Sequence, residues 1–379
     1  MNRIALVALA LMLGACASND AVDLEPAELV DFEQTVKFET LWSEKIGAGQ
    51  DERYTRLAMA IAGDNIFATD VEGNVEALNR LSGDQLWAVE LDTPVSGGVG
   101  RADGVVLLGT YAGEVIALEQ STGAERWRAQ LTGEVLSAPQ GNGDVVVAQT
   151  LDGHLVGLDL TTGEQRWSYN SVLPVLTLRG TSAPVVSGSR AYAGFASGKV
   201  MSIETDSGLL SWEQRVAMAQ GRSELERVVD IDGTPLLVGD ILFAASYQGR
   251  LVALNRSTGR GIWAKDASTH QDLTAGQGNV YLASAEDKVI AFEAGSGAEA
   301  WENHQLIRRK ITAPRAFDSY LAVDDFYGYV HVLDQNDGQF VARRKIDGAG
   351  IRSSMTSAGD VLYVLGDSGK LVALKIQAN

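Results

Sequence analysis

The chain has almost no cysteine: one, Cys16, in 379 residues. A single thiol excludes a disulfide framework and leaves no cysteine set for a structural zinc. Histidine is equally thin. His154, His270, His304 and His331 are scattered, without metal-type spacing. No glycine-rich loop precedes a helix, so nothing offers a phosphate cradle. No residue set calls for a metal, a cofactor or a catalytic centre. Positive charge is short as well: 31 Lys and Arg against 49 Asp and Glu give a formal net charge of −18. Removing a leader that holds Arg3 and no acid makes it −19. That balance argues against nucleic acid, whose binders carry basic faces. It also argues against lying flat on an anionic lipid surface. Proline is scarce, at 7, and stretches of helical period are few.

Glycine, by contrast, is abundant at 41. Many short strands and tight turns have this composition. The glycines sit in a repeat. Its cleanest copy runs from Gly153 through Leu155, Gly157, Asp159 and Gly163 to Trp167. The frame starts again at Gly73, Gly113, Gly198, Gly249, Asp287, Gly328 and Gly369, at spacings of 38 to 51 residues. Fourteen residues after a start stand Trp87, Trp127, Trp167, Trp212, Trp263, Trp301 and, in the degenerate copy, Ala342. Trp42 stands alone near the N-terminus. A period near forty residues means a solenoid, propeller or array.

Each copy opens on an apolar strand with a small residue near its middle: Ala77, Ala117, Gly157, Ser202, Ala253, Ala291, Val332 or Ala373. The small side chain leaves room for the tryptophan of the next strand. A turn follows, opened by Asn79, Asp159, Asn255 or Asp334, whose side chains can cap its amides. It ends on a glycine that supplies positive φ for a bulged hairpin. Leu136–Pro139 reads as a further strand with proline near its end, and Val145–Thr150 as another. Four strands per unit make a meander, the blade of a β-propeller. The chain begins with a lone fourth strand at Trp42 and ends, after Ala342, on three strands without a fourth. Placing the first in the last unit closes a ring. The expected fold is therefore all-β: an eight-bladed propeller of four-stranded antiparallel blades over 38–379, closed by the N-terminal strand.

Residues 1–15 carry Arg3 and an apolar run from Ile4 to Leu13, too short to span a bilayer but suited to a signal peptide. The run ends in Leu13-Gly14-Ala15-Cys16, which resembles a bacterial lipobox. That resemblance implies cleavage before Cys16, lipidation of Cys16 and a lipid-anchored, periplasmic protein. Ala17 rather than Asp follows, which favours the outer membrane. The acidic stretch 16–37 reads as a lipidated tether. The basic triplets Arg308-Arg309-Lys310 and Arg343-Arg344-Lys345 read first as solvated faces and second as a small cationic patch.

The units differ between each tryptophan and the next start, where 24 to 37 residues intervene. The excess falls mainly after Trp167 and Trp212. Both insertions occupy the same connection in consecutive units, so they emerge side by side on one rim, where loops carry function. The first contains Leu176, Leu178 and Arg179; the leucines, if extended, point the same way. The second contains Ser223 and Glu226, spaced as a capping box, then Asp230 and Asp232 around Ile231. Leucines, an arginine and a carboxylate pair suit a partner site.

The repeat resembles the pyrroloquinoline-quinone enzyme-type propeller repeat. Together with the lipobox and the motifs Leu176-x-Leu178-Arg179-Gly180-x-Ser182-Ala183-Pro184 and Glu226-Arg227-x-x-Asp230-x-Asp232-x-Thr234-Pro235, the chain is similar to the BamB family, the outer-membrane lipoproteins of the β-barrel assembly machinery. The resemblance covers essentially the whole mature chain. It implies a scaffold without chemistry, in which Leu176, Leu178, Arg179, Asp230 and Asp232 dock a POTRA domain of BamA. Other assembly subunits and unfolded outer-membrane protein precursors are further implied partners. Ala342 and Asp287 depart from the repeat, outside the site. Two other readings stand beside this one. A quinone-dependent dehydrogenase is suggested by the repeat type; it needs a calcium-binding set and a catalytic carboxylate, and some such enzymes use an adjacent cysteine pair that is missing here. A different envelope protein, binding glycan or peptide, would want an apolar or aromatic funnel mouth.

Overall fold

The computed structural model describes residues 25–50 and 55–378. Among them the strands form eight four-stranded antiparallel sheets. Blades 1 to 7 span 60–90, 95–130, 140–170, 185–215, 236–266, 274–303 and 315–345. Blade 8 takes three strands from 356–378, and its outer strand is Val36–Lys45, paired antiparallel with Lys370–Ala378. The ring thus closes as the strand count requires, and no sheet ends unpaired at the seam. Strand Val36–Lys45 starts two residues ahead of the expected boundary at 38.

The repeat becomes a packing rule. Each tryptophan lies directly across the ladder from the small residue of its own copy, as in Ala77 with Trp87, Gly157 with Trp167, Ser202 with Trp212 and Ala373 with Trp42. Within most blades an aromatic residue on the second strand flanks the indole; the Phe67–Trp87, Tyr192–Trp212 and Tyr281–Trp301 centroids are 5.7–6.0 Å apart. The indole then reaches the following blade. Trp127 Nε1 donates to the Leu160 carbonyl at 2.8 Å, and Trp42 Nε1 to the Arg80 carbonyl at 2.9 Å. Its ring covers the turn glycine there: a Cβ on Gly163 would come within 2.7 Å of Trp127. That glycine also has φ +74°, so the repeat demands glycine twice over, for conformation and for space. The turn openers cap as expected; the Asp159 carboxylate accepts the Thr161 and Thr162 amides, both at 2.9 Å.

Two departures from the repeat find physical causes. Ala342 lies opposite Val332 in blade 7. The next blade is blade 8, whose fourth strand is the N-terminal Val36–Lys45, so no hairpin turn joins its third and fourth strands. No turn carbonyl or glycine awaits an indole, and Val36, Ile346 and Leu374 fill the space in one buried cluster. Asp287 holds the left-handed φ of +63° in place of glycine, and its carboxylate accepts the Lys310 and Ile311 amides at 3.0 Å. One expectation is corrected. Pro139 precedes the innermost strand, Gln140–Gly141, and does not lie within it; Val185–Ser187, Leu236–Val238 and Arg315–Phe317 follow Pro184, Pro235 and Pro314 in the same way. Proline has no N–H for the ladder, so pairing begins after it.

Residues 25–35 form no strand, yet they are packed on blade 7. The Ala27 amide donates to the Ile307 carbonyl at 3.0 Å and the Thr35 amide to the Val341 carbonyl at 3.1 Å. Arg308 Nε donates to the Glu25 carbonyl at 2.6 Å, Arg309 Nη1 to that of Ala27 at 3.0 Å, and Arg343 Nη1 to that of Val30 at 2.9 Å. Phe32 sits 5.5 Å from Phe340, with the Arg343 guanidinium 5.0 Å from both rings. The two basic triplets are therefore neither plain solvated faces nor a free cationic patch. Arg309 is buried and paired through two nitrogens with the Asp325 carboxylate, which also contacts His331. The signal peptide, Cys16 and the first part of the expected tether lie outside the described residues.

Candidate functional site

The two long connections, 171–184 between blades 3 and 4 and 216–235 between blades 4 and 5, lie side by side at one end of the ring. The first contains no strand; it is held by its neighbours. The Leu178 amide donates to Asp230 Oδ2 at 2.6 Å, bolting one loop to the other. Ile231 pins the second loop: its side chain is buried against Gly194, where a Cβ would come within 2.3 Å. The Tyr247 amide donates to the Asp230 carbonyl at 2.8 Å. Ser223 and Glu226 bond reciprocally, as a capping box does, around the one-turn 3-10 helix Leu225–Arg227. Gln248 Nε2 ties that turn to the ring through the Leu225 carbonyl at 3.1 Å.

The five expected residues fall into two roles. Leu176 and Arg179 are exposed, and Leu178 is half-buried with its side chain in the cavity wall, so the leucines do not point the same way. Val172 and Val175, at 87% and 90% exposed, extend the apolar crest of the first loop. Arg179 reaches Glu134 of the preceding connection at 2.8 Å. Asp230 has no accessible surface at all. Its burial, then the charge of Asp232, pushes its carboxyl up to about 7, against the pull of the Leu178 amide. Asp232 is half-buried, its carboxylate tucked against Gly180, where a Cβ would come within 2.8 Å. Desolvation raises it to about 6, opposed by the Arg56 charge.

These loops border the mouth of the central channel. A cavity of about 420 Å³ is lined by Leu178, Arg179, Asp232, Tyr111, Tyr247 and His270, among others. It runs into a second of about 610 Å³ through shared walls at Thr55, Arg56, His270 and Gln271. Burial holds His270 down to about 4, with Arg56 adding to the effect, so it is neutral. Sequence reasoning missed the partner Glu134, the pin Ile231 and the mouth residues Arg56, Tyr111, Tyr247 and His270. Only Ile231 carried a signal, as the apolar residue between two carboxylates. Among the described residues no group of three His, Cys, Asp or Glu is placed to hold a metal ion.

The sequence relatives decide the family. The model of the family described as outer membrane protein assembly factor BamB matches residues 71–303. The chain is 54% identical over 373 residues to the outer membrane protein assembly factor BamB of Pseudomonas aeruginosa, covering 98% of each. The chain belongs to the BamB family. It is 33% identical to the Escherichia coli K12 BamB, with 97% of each chain covered. The crystal structure of BamB from Moraxella catarrhalis superposes with a TM-score of 0.82 at 30% identity, covering 89% of this chain and all of that one. A europium-containing methanol dehydrogenase superposes with a TM-score of 0.71 at 14% identity, which is a likeness of fold alone. The expected eight-bladed propeller and the expected family are both borne out. The chain is an outer-membrane assembly scaffold of the β-barrel assembly machinery.

Proposed function

We propose that the chain docks a POTRA domain of BamA through the paired loops, with Leu176, Leu178 and Arg179 as the contacting residues. Asp230 and Asp232 serve as positioning residues. The carrying observation is the Leu178–Asp230 bond. A carboxylate without accessible surface cannot touch a partner, but it can hold the crest that does. A rigid apolar crest beside an arginine suits a hot-spot anchor, because little ordering entropy remains to be lost on binding. The scaffold acts without chemistry of its own, as an assembly factor. It hangs from the periplasmic face of the outer membrane by a lipid on Cys16. Unfolded barrel precursors and further assembly subunits are its other partners in this reading.

The test is a pull-down with the BamA periplasmic domains. Wild type is compared with Leu176→Ala/Leu178→Ala/Arg179→Ala and with Asp230→Ala/Asp232→Ala, each checked for folding by circular dichroism. Loss of the partner by both folded variants supports the site. Undiminished binding by both sinks it.

A further inference from the structure

The N-terminal segment and the two basic triplets remain unexplained by docking at the paired loops. Residues 25–35 are an arm laid along blade 7, and Arg309 is its hub. That guanidinium binds the Ala27 carbonyl, pairs with buried Asp325 and stacks on Tyr327 at 4.9 Å. Beside it, Lys310 Nζ lies 5.0 Å from the Phe326 ring. Phe326 and Tyr327 are 41% and 38% exposed, and Arg308 and Lys310 are exposed as well. Two aromatic rings and two exposed cations, Arg308 tied through Nε to the Glu25 carbonyl and Lys310 beside Asp287, thus share one corner of a protein whose net charge is −18.

The corner lies on the same end of the ring as the paired loops. In a meander, connections alternate between the two ends, so blade-to-blade loops such as 304–314 share an end with the turn at 325–328. Phe326 and Lys310 also line the channel mouth. The described part of the arm begins there, at Glu25, beside Arg308. Glu25 is nine residue steps along the chain from Cys16. However arranged, they reach at most about 32 Å. While the arm is docked, the corner therefore stays within about that distance of Cys16.

We propose that the corner formed by Arg308, Lys310, Phe326 and Tyr327 is a membrane-contacting surface that rests on phospholipid headgroups. Aromatic rings and basic side chains are the chemistry that suits the interface: rings at headgroup level, cations on phosphate. Glu25, Glu28 and Asp31 are exposed on the arm and confine the contact to the corner. The paired loops then open toward the membrane, not away from it. This inference rests on the lipid-anchor reading of Cys16.

The full lipidated chain is reconstituted in phosphatidylethanolamine and phosphatidylglycerol vesicles doped with a gadolinium-chelating lipid. Nitroxides are placed singly through Tyr327→Cys and through Ser257→Cys, an exposed turn residue at the opposite end of blade 5. The label at 327 should relax several-fold faster than the label at 257. In the Arg308→Ala/Phe32→Ala variant, which loosens the arm and spares the Arg309–Asp325 pair, the difference should shrink. Equal relaxation in the wild-type background, or faster relaxation at 257, overturns the orientation. An unchanged difference in the variant overturns the role of the arm. A chain that fails to float with the vesicles overturns the lipid anchor, and the orientation with it.

Discussion

The Leu178 amide and the Asp230 carboxylate meet at 2.6 Å across two loops 52 residues apart in the chain. Asp230→Ala removes the acceptor and orphans the amide, at a cost of about 1–3 kcal/mol if the loop stays shut. The loop opens instead, so the damage falls on docking. Affinity for the BamA periplasmic domains should drop at least tenfold, which is about 1.4 kcal/mol, while the melting temperature moves by a few degrees. Asp230→Asn keeps an acceptor and should bind better than the alanine variant. Calorimetry on both variants checks the order; equal affinities would show that the bond is not what holds the crest.

Acid should favour this part of the fold. Asp230 is raised to about 7 and Asp232 to about 6, so between pH 4 and 7 the folded state holds protons that the unfolded state has released. Their contribution is fully present below the unfolded carboxyl value and is lost as pH rises through 6 and 7. His270, depressed to about 4, has the opposite sign: its contribution is present above its unfolded value and is lost as pH falls toward 4. Comparison with Asp230→Asn isolates the carboxylate. The melting temperature of wild type minus that of the variant should fall from pH 5 to pH 8. A flat difference would place Asp230 in the ordinary carboxylate range.

The tryptophan staple should be the costliest part of any blade to remove. Trp167→Ala strips a buried indole and its bond to the Thr205 carbonyl, for about 3–5 kcal/mol. Gly157→Ala adds a methyl within 2.1 Å of the same ring and should cost about 1–3 kcal/mol by overpacking. Chemical denaturation midpoints would rank the two.

Ala342→Trp restores the repeat and should still destabilise. Val332 stands across the ladder, and blade 8 has no turn to receive the ring. Adding Val332→Ala removes the clash and should recover at most the wild-type midpoint. A gain above wild type would mean that another acceptor stands in for the missing turn.

Most of the fold was legible because each copy of the repeat carries its own reason: a small residue, a capping side chain, a glycine and an indole at fixed spacing. Ala342 looked like decay and is the signature of the seam, which only the closed ring explains. The proline signal was placed inside a strand because spacing cannot tell a strand from its approach. At the site, residues could be named, but which of them the fold buries could not. Burial of Asp230 depends on Ile231 entering the gap over Gly194, a contact between residues 37 apart that no local pattern encodes. The arm was hidden for the same reason, since Glu25 and Arg308 meet across 283 residues.

The seam also sets an order of events. Blades 1 to 7 each draw on contiguous chain and can form as it is delivered from the N-terminus. Blade 8 cannot, because Val36 pairs with Ala378. The first strand made must wait for the last, holding its ladder groups unpaired while every other blade assembles. Closure is the most non-local step in the molecule, and such pairing is slow. Until it happens the waiting strand is an open edge, and a second copy of Lys370–Ala378 would satisfy it as well as the chain's own. Crowded refolding should therefore yield ring-exchanged oligomers, joined at blade 8.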